Sequence, residues 1–362
     1  MLSVEMLAAE RGDAILVEYG NGTEATNRVL IDGGPVNSGL YEGVRNRLLA
    51  VPMEADGRRH FDLLVISHID ADHIEGVIRL LQDDELRCVF DDIWFNGWRH
   101  IEPLEPGATA ASLGAAQGEF LGALLAFQGR PWNQYFGGGA VFVPEGDDAP
   151  PSQVLRGGME LTLLSPTIPK LKALARKWDK ELQNMDFEPG EAAEALKQLQ
   201  GKWWARPPVT LGDDDEAKAS HDRSEANGSS IAFIASWQDH HILLAADAHD
   251  DVLTESLRRV RSANTPTDPV RLDALKLSHH GSQHNTTSQL MEEITADAYL
   301  VSTNGKRFNH PNALALATVI SGHSGSQPPV FCFNYRQPET EVWENKAGLV
   351  TRYGEDARLL FD

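Results

Sequence analysis

The chain has 362 residues and sets 32 Lys and Arg against 53 Asp and Glu, a formal net charge of −21. So acidic a chain argues against nucleic-acid binding carried mainly by phosphate contacts, which need a basic surface. Its 41% apolar and 23% charged residues are those of a globular protein that buries a core without staples, and two cysteines, Cys88 and Cys332, exclude a disulfide framework or a Cys-rich metal site.

No apolar run approaches the roughly 18 residues needed to cross a bilayer. The opening MLSVEMLAAERGDAILVEYG has no basic stretch followed by an apolar one, so no signal peptide is expected and the protein is read as cytoplasmic. The first 35 residues read as two strands joined by a turn, with a break at Gly12-Asp13 and a hairpin signal at Asn21-Gly22 before RVLIDGG. Leu40 to Val51 has helical spacing. FDLLVIS, Phe61 to Ser67, is a continuous apolar run of the kind buried on both faces of a parallel sheet. IEGVIRLLQ then repeats at helical spacing through about Leu86, and CVFDDIWFNG is the next strand. Strand, helix, strand over this length predicts a βαβ unit.

Between His100 and Asn227 the pattern weakens. SLGAAQGEFLGALLAFQ predicts a helix, LTLLSP a strand, and Lys170 to Leu182 and Glu191 to Leu199 two charged helices. GDDDEAKASHDRSEANG is an acidic loop. Regular order returns with SSIAFIASW and HHILLAAD, a pair of strands. Then come a helix (Val252 to Arg261), a strand (Leu272 to Ser278), a helix (Ser288 to Thr295), a strand (Asp297 to Thr303) and a helix (Asn312 to Ser321). PVFCFNY and the region near Trp343 are the last predicted strands. The outline is one α/β domain over 1–362, two αβ halves with 100–226 mostly an insertion between them.

One segment concentrates ligand-type residues: Ser67-His68-Ile69-Asp70-Ala71-Asp72-His73, directly after the buried strand. It sits where a strand gives way to a helix, the carboxyl edge at which open α/β sheets bind ligands. The plain alternative is an N-capped helix with Asp70 or Asp72 as the cap. Capping leaves the two histidines unexplained, and crowded carboxylates need a compensating cation. Asp247 with His249, His279 with His280, and His310 stand at the ends of three later strands, so four strand ends rich in His and Asp point to one edge.

These motifs resemble those of the metallo-β-lactamase-fold hydrolases, whose signature is H-x-H-x-D-H after a strand, then a distant His, a bridging Asp and a last His. His68, Asp72 and His73 match the first, third and fourth positions; Asp247 matches the bridging Asp and His310 the last His. RGDAILVEY, IDGG (Ile31 to Gly34), LTLLSP, NGSSIAFI, LAADAHDD and LKLSHHGS are similar to segments of the ComEC-type competence hydrolases and the related phosphocholine esterases. The resemblance covers residues 1–98 and 155–322. It implies an αββα sandwich of two mixed sheets flanked by helices, holding two divalent ions, Zn²⁺ or Mn²⁺. His68 and Asp70 would take one ion, Asp72, His73 and His310 the other, and Asp247 would lie between them.

Two departures follow. Asp70 replaces the second histidine, and its harder oxygen shifts preference toward Mn²⁺ or Fe. The distant third histidine has no clear counterpart; His100 and His221 are the candidates. Asp72 is expected to orient the nucleophile, and one of His279 and His280, which strand alternation turns to opposite faces, to contact the substrate or protonate its leaving oxygen. His280 is preferred for that role. Asp32 of IDGG is expected to accept a hydrogen bond from a ligand rather than to be one.

The resemblance implies a phosphodiesterase or nuclease acting on a nucleotide or a short or single-stranded phosphodiester. The alternatives are hydrolysis of a small ester, thioester or lactam, and a metal-bound interaction protein without turnover. Trp132, Trp178, Trp203 and Trp204 of the insertion would form a partner surface in the last reading, or pack the insertion on the core.

Overall fold

A computed structural model describes residues 1–22, 25–36, 40–105, 115–182, 189–199, 221–264, 268–306 and 308–361. Among these residues the strands are, in chain order, β1 (Leu2–Met6), β2 (Ile15–Tyr19), β3 (Asn27–Ile31), β4 (Arg59–Val65), β5 (Cys88–Trp94), β6 (Ser152–Val154), β7 (Glu160–Ser165), β8 (Ala232–Trp237), β9 (His240–Leu244), β10 (Val270–Lys276), β11 (Ile294–Val301), β12 (Val330–Phe333), β13 (Val350–Tyr353) and β14 (Leu359–Phe361). The helices are α1 (Leu40–Leu49), α2 (Ala71–Leu81), α3 (Trp98–Ile101), α4 (Ala115–Phe127), α5 (Ile168–Leu182), α6 (Ala192–Leu199), α7 (Glu225–Gly228), α8 (Asp250–Asn264), α9 (Ser288–Met291), α10 (Ala313–Gly322) and α11 (Pro338–Glu341).

Six strands form one sheet in the order β14-β1-β2-β3-β4-β5, and eight form the other in the order β13-β12-β11-β10-β9-β8-β7-β6. Both are mixed. In the first, β14, β1, β2 and β3 pair antiparallel while β3, β4 and β5 run parallel. In the second, β6 to β9 are antiparallel and β9 to β13 parallel.

Period-2 alternation divides the apolar side chains between layers. On β2, Ile15, Val17 and Tyr19 join the core between the two sheets, whereas Leu16 joins the core under the helices α1, α2, α4 and α5. On β8, Phe233 and Ala235 face the first sheet, while Ala232 and Ile234 face the layer formed by α8 and α10. Each fully buried Leu, Ile or Phe contributes about 2 kcal/mol. The result is helices, sheet, sheet, helices: the αββα sandwich that the resemblance implied.

Local reading fails where pairing is remote. The opening 35 residues form three strands rather than two, because Gly12-Asp13 separates β1 from β2 and a second turn leads to β3. α2 stops at Leu81, short of Leu86. The helix expected over Ser288 to Thr295 ends at Met291, since Ile294 already pairs with Val270 of β10. Trp343 is not in a strand: Pro338 and a Gln337–Thr340 capping box start α11 just before it, and the final strands are β13 and β14. β14 pairs with β1, Leu2 opposite Phe361, which closes the first sheet with the two ends of the described chain.

Cys88 and Cys332 are both buried, as expected. Trp132 and Trp178 pack inward: Trp132 stacks on Phe95, and Trp178 donates to Glu119 and lies over Gly118. Trp203, Trp204 and most of the acidic loop lie outside the described residues. Among the described residues no helix is long and apolar enough to cross a membrane.

Candidate metal centre

The carboxyl ends of β3, β4, β9 and β10 meet at one edge of the sandwich. After β4 the chain runs through Ser67 and His68 to Asp70, the N-cap of α2. Asp70 has the extended backbone of a cap (φ −69°, ψ 144°), yet its side chain makes no capping hydrogen bond. The capping alternative therefore leaves its carboxylate unused. α2 is drawn close by a Gly–Gly contact: a Cβ on Gly76 would lie 1.8 Å from the Gly33 carbonyl oxygen. That approach lets Gly33 N–H donate to the His73 carbonyl at 2.9 Å and Gly76 N–H to Gly34 at 2.8 Å.

Asp247 is the hub. Its Oδ2 lies 3.4 Å from His73 Nε2, 3.5 Å from His280 Nε2, 3.9 Å from His68 Nε2 and 4.0 Å from His279 Nε2. Ligand-type atoms of His68, His73 and Asp247 fall within 4.8 Å of one another, as do those of Asp72, His73 and His280. Asp70 Oδ2 is 3.7 Å from His68 Nε2, and Asp72 Oδ2 is 3.6 Å from the Arg11 guanidinium.

Each imidazole is aimed from behind. Asp32 accepts from His73 Nδ1–H at 2.8 Å, and also from the Ser67 N–H at 2.7 Å and hydroxyl at 2.6 Å. His280 Nδ1–H donates to the Ser302 carbonyl at 2.8 Å. His68 Nδ1 contacts the hydroxyls of Ser67 at 3.0 Å and Ser230 at 3.3 Å. Fixing the rear nitrogen in this way leaves the front nitrogen of each ring for a ligand.

Burial disfavours charge on His73 and His280, yet Asp247 with Asp32 raises the first and Asp247 with Asp13 the second above the usual imidazole value. Burial, reinforced by the neighbouring His73, lowers His68 to about 4, so its ring is neutral. Burial opposes ionisation of Asp247, but His280, His73 and His279 outweigh it and hold the carboxyl well below its usual value. Burial disfavours the charged form of His279 too, yet Asp247 and Asp222 push it up to about 10.

Among the described residues, buried atoms at this point without a hydrogen-bond partner include Nε2 of His68, His73 and His280, and Oδ1 of Asp247. An orphaned buried polar atom costs about 1–3 kcal/mol, and native proteins leave few of them. A cluster of imidazole nitrogens and carboxylate oxygens facing one another fits a divalent cation, which would take the place of the imidazole protons.

The structure separates residues that the sequence treated together. His279 and His280 do not face opposite ways. Both lie past the end of β10 with left-handed backbones (φ 47° and 57°), so strand alternation does not apply and both Nε2 atoms face Asp247. His310 is buried with its ring centroid 5.4 Å from that of His279, but no group of metal-competent atoms among the described residues includes it, whereas one groups His280 with Asp72 and His73. His100 is buried edge-on against Trp132, 4.5 Å between centroids. His221 is exposed and pairs with Asp250 at 3.1 Å.

Three residues of the site escaped the sequence reading. Asp13 and Lys276 form an ion pair at 2.6 Å, both almost fully buried, and Asp13 Oδ1 lies 3.5 Å from His280 Nδ1. Their signal lay inside RGDAILVEY and LKLSHHGS, where a charge interrupts an otherwise apolar strand context. Asp222, beside His279, lies inside the acidic stretch GDDDEAKASHDRSEANG, where nothing set it apart from its neighbours.

No protein-family model and no curated protein matches the chain. Among solved structures it is similar to one from Parabacteroides distasonis, provisionally named a metal-dependent hydrolase, with a TM-score of 0.38 and 10% identity over 98% of this chain and 93% of that chain. At that level the likeness assigns neither fold nor activity.

Proposed function

We propose that this chain is a metal-dependent hydrolase of phosphate esters. The observation that carries this reading is the convergence of the orphaned Nε2 atoms of His68, His73 and His280 on the carboxylate of Asp247. Asp13, Asp32, Asp70, Asp72 and Asp247 crowd the same edge against Lys276, Arg11 and the imidazoles of His73, His279 and His280, a set in which a bound cation can replace the imidazole protons. We assign His68 and Asp70 to one ion, Asp72, His73 and His280 to a second, and Asp247 between them, with Zn²⁺ or Mn²⁺ suiting this mixed nitrogen and oxygen set. His280 thereby takes the place that the resemblance gave to His310.

A divalent ion held there supplies Lewis-acid polarisation of the ester and a nucleophilic water near neutral pH. The protein's own contribution is orientation. Asp32 and the Ser302 carbonyl hold the rear nitrogens of His73 and His280. His279, whose Nε2 edge faces the centre without belonging to either ligand group, donates to a phosphoryl or leaving-group oxygen. Asp72, 3.6 Å from the Arg11 guanidinium, keeps its side chain 18% exposed beside the buried imidazoles.

The test is hydrolysis of bis-p-nitrophenyl phosphate by protein supplied with Mn²⁺ or Zn²⁺. Wild type is expected to cleave it, and His68→Ala with Asp72→Ala to abolish cleavage. Turnover of a thioester or lactam in its place would move the assignment to carbonyl substrates. No turnover of any of these by metal-loaded protein would defeat the hydrolase reading.

A further inference from the structure

Beside the centre lies a small polar pocket lined by Lys170, Ala173, Asp222, Arg223, Glu225 and His249. One of its residues, Asp222, has a side chain only 4% exposed and accepts hydrogen bonds on both oxygens. Oδ2 accepts from Asn227 Nδ2 at 2.8 Å and Asn285 Nδ2 at 3.0 Å, and pairs with His279 Nδ1 at 3.2 Å. Oδ1 accepts from the Ser224 N–H at 2.9 Å and faces His249 Nε2 at 3.7 Å.

Donor and acceptor roles follow from chemistry. His279 Nδ1 lies against the Asp222 carboxylate and against Asn285 Oδ1 at 3.1 Å. Both are acceptors and both lie closer than the one donor there, Asn227 Nδ2 at 3.4 Å, so Nδ1 carries a hydrogen whatever the state of Nε2. With the ring held in this way, the Nε2 edge is turned to Asp247. On the other side, Lys170 Nζ has only donors, so His249 Nδ1 accepts from it at 2.9 Å. The His249 hydrogen must then sit on Nε2, the nitrogen facing Asp222.

We propose that Asp222 is a positioning residue: it holds His279 with Nε2 toward the metal centre, while the Lys170–His249 pair lies on its far side with His249 Nε2 3.7 Å from Oδ1. The four residues come from α5, the segment before α7, the turn after β9 and the turn after β10, so no single element places them. An orienting carboxylate behind a working imidazole is a general device, because it fixes ring rotation as well as the site of the hydrogen. The proposal rests on the metal-centre reading above. The competing account is that Asp222 merely starts α7 through its bond to the Ser224 N–H.

A double-mutant cycle separates the two. Binding of inorganic phosphate to the metal-loaded protein is measured by calorimetry for wild type, Asp222→Asn, His279→Gln and the double variant. Asp222→Asn is expected to weaken phosphate about tenfold in the wild-type background and less than about twofold in the His279→Gln background. Equal losses in both backgrounds overturn the proposal. Should Asp222→Asn not fold, Lys170→Met, a change at the partly exposed end of the chain of contacts, is expected to show a smaller loss with the same non-additivity. A second readout needs no metal: the His279 Nδ1–H proton resonance of chelator-treated protein, identified by its loss in His279→Gln, moves upfield in Asp222→Asn. An unmoved or absent resonance overturns the positioning role. Wild-type protein that takes up no metal, with the resonance moving as expected, defeats the hydrolase reading and leaves the Asp222–His279 contact standing.

Discussion

His280 Nε2 stands 3.5 Å from Asp247 Oδ2, the same oxygen that His73 Nε2 approaches to 3.4 Å from the other sheet. The two sheets therefore meet at one carboxylate. His280 comes from the end of β10 and His73 from α2 after β4, so any change that slides one sheet on the other also opens the centre.

This contact makes His280 the more important of the two late histidines for metal. His280→Ala is expected to lower metal affinity by about 100-fold or more, whereas His310→Ala keeps the metal within about tenfold of wild type. Elemental analysis of dialysed protein, with chelator competition for the affinities, checks the order. The opposite order would return the ligand role to His310.

Asp32 acts one step behind. Its carboxylate accepts from His73 Nδ1–H and from Ser67, and it is itself fully buried. Asp32→Ala is expected to weaken metal about 10- to 100-fold without removing a ligand. Chelator competition at fixed pH reads the change directly.

The buried Asp13–Lys276 pair joins the turn before β2 to the end of β10. Removing one partner leaves an uncompensated charge, so Lys276→Met is expected to cost about 3–5 kcal/mol in urea unfolding. Adding Asp13→Leu should restore most of that loss. A double variant as unstable as Lys276→Met would mean that packing, not charge, holds the pair.

Glu119 of α4 supplies a pH test away from the centre. Burial raises its carboxyl to about 7 from the usual 4.5, although the Gly190 N–H and the Trp178 indole N–H both donate to it at 2.9 Å. The fold thus favours the protonated form. Stability is full below about pH 4.5, falls as pH rises and levels off above about pH 7, a loss of about 3 kcal/mol. Glu119→Gln is expected to remove this slope, read as the difference between wild-type and variant urea midpoints at pH 5 and pH 8.

The Gly33–Gly76 contact predicts a different failure. Gly76→Ala sets a methyl against backbone rather than a side chain that can swing away, so about 3 kcal/mol of stability should be lost. Weaker metal binding should accompany it, since α2 carries Asp72 and His73. Thermal unfolding and metal content of the same preparation test both.

Much of this molecule is local and was therefore legible. FDLLVIS is apolar at every position because β4 is covered on both faces, and the polar cluster after it marks the edge where that cover ends. Short-range periodicity likewise placed α2, β8, β9 and β10, and Asp32, His68, Asp72, His73 and Asp247 stood out as candidates because each stands at a strand end or on the helix that follows. What the chain could not disclose by itself depends on contacts between remote segments. Strand alternation misplaced His279 because the backbone beyond Lys276 turns left-handed, a state held by the surrounding packing. The burial of Lys276 against Asp13 was decided when the two sheets packed, and the arrival of Asp222 behind His279 when the segment before α7 met the turn after β10. A hydrogen bond or ion pair between residues hundreds of positions apart leaves no period in the sequence; only the folded chain brings its two ends together.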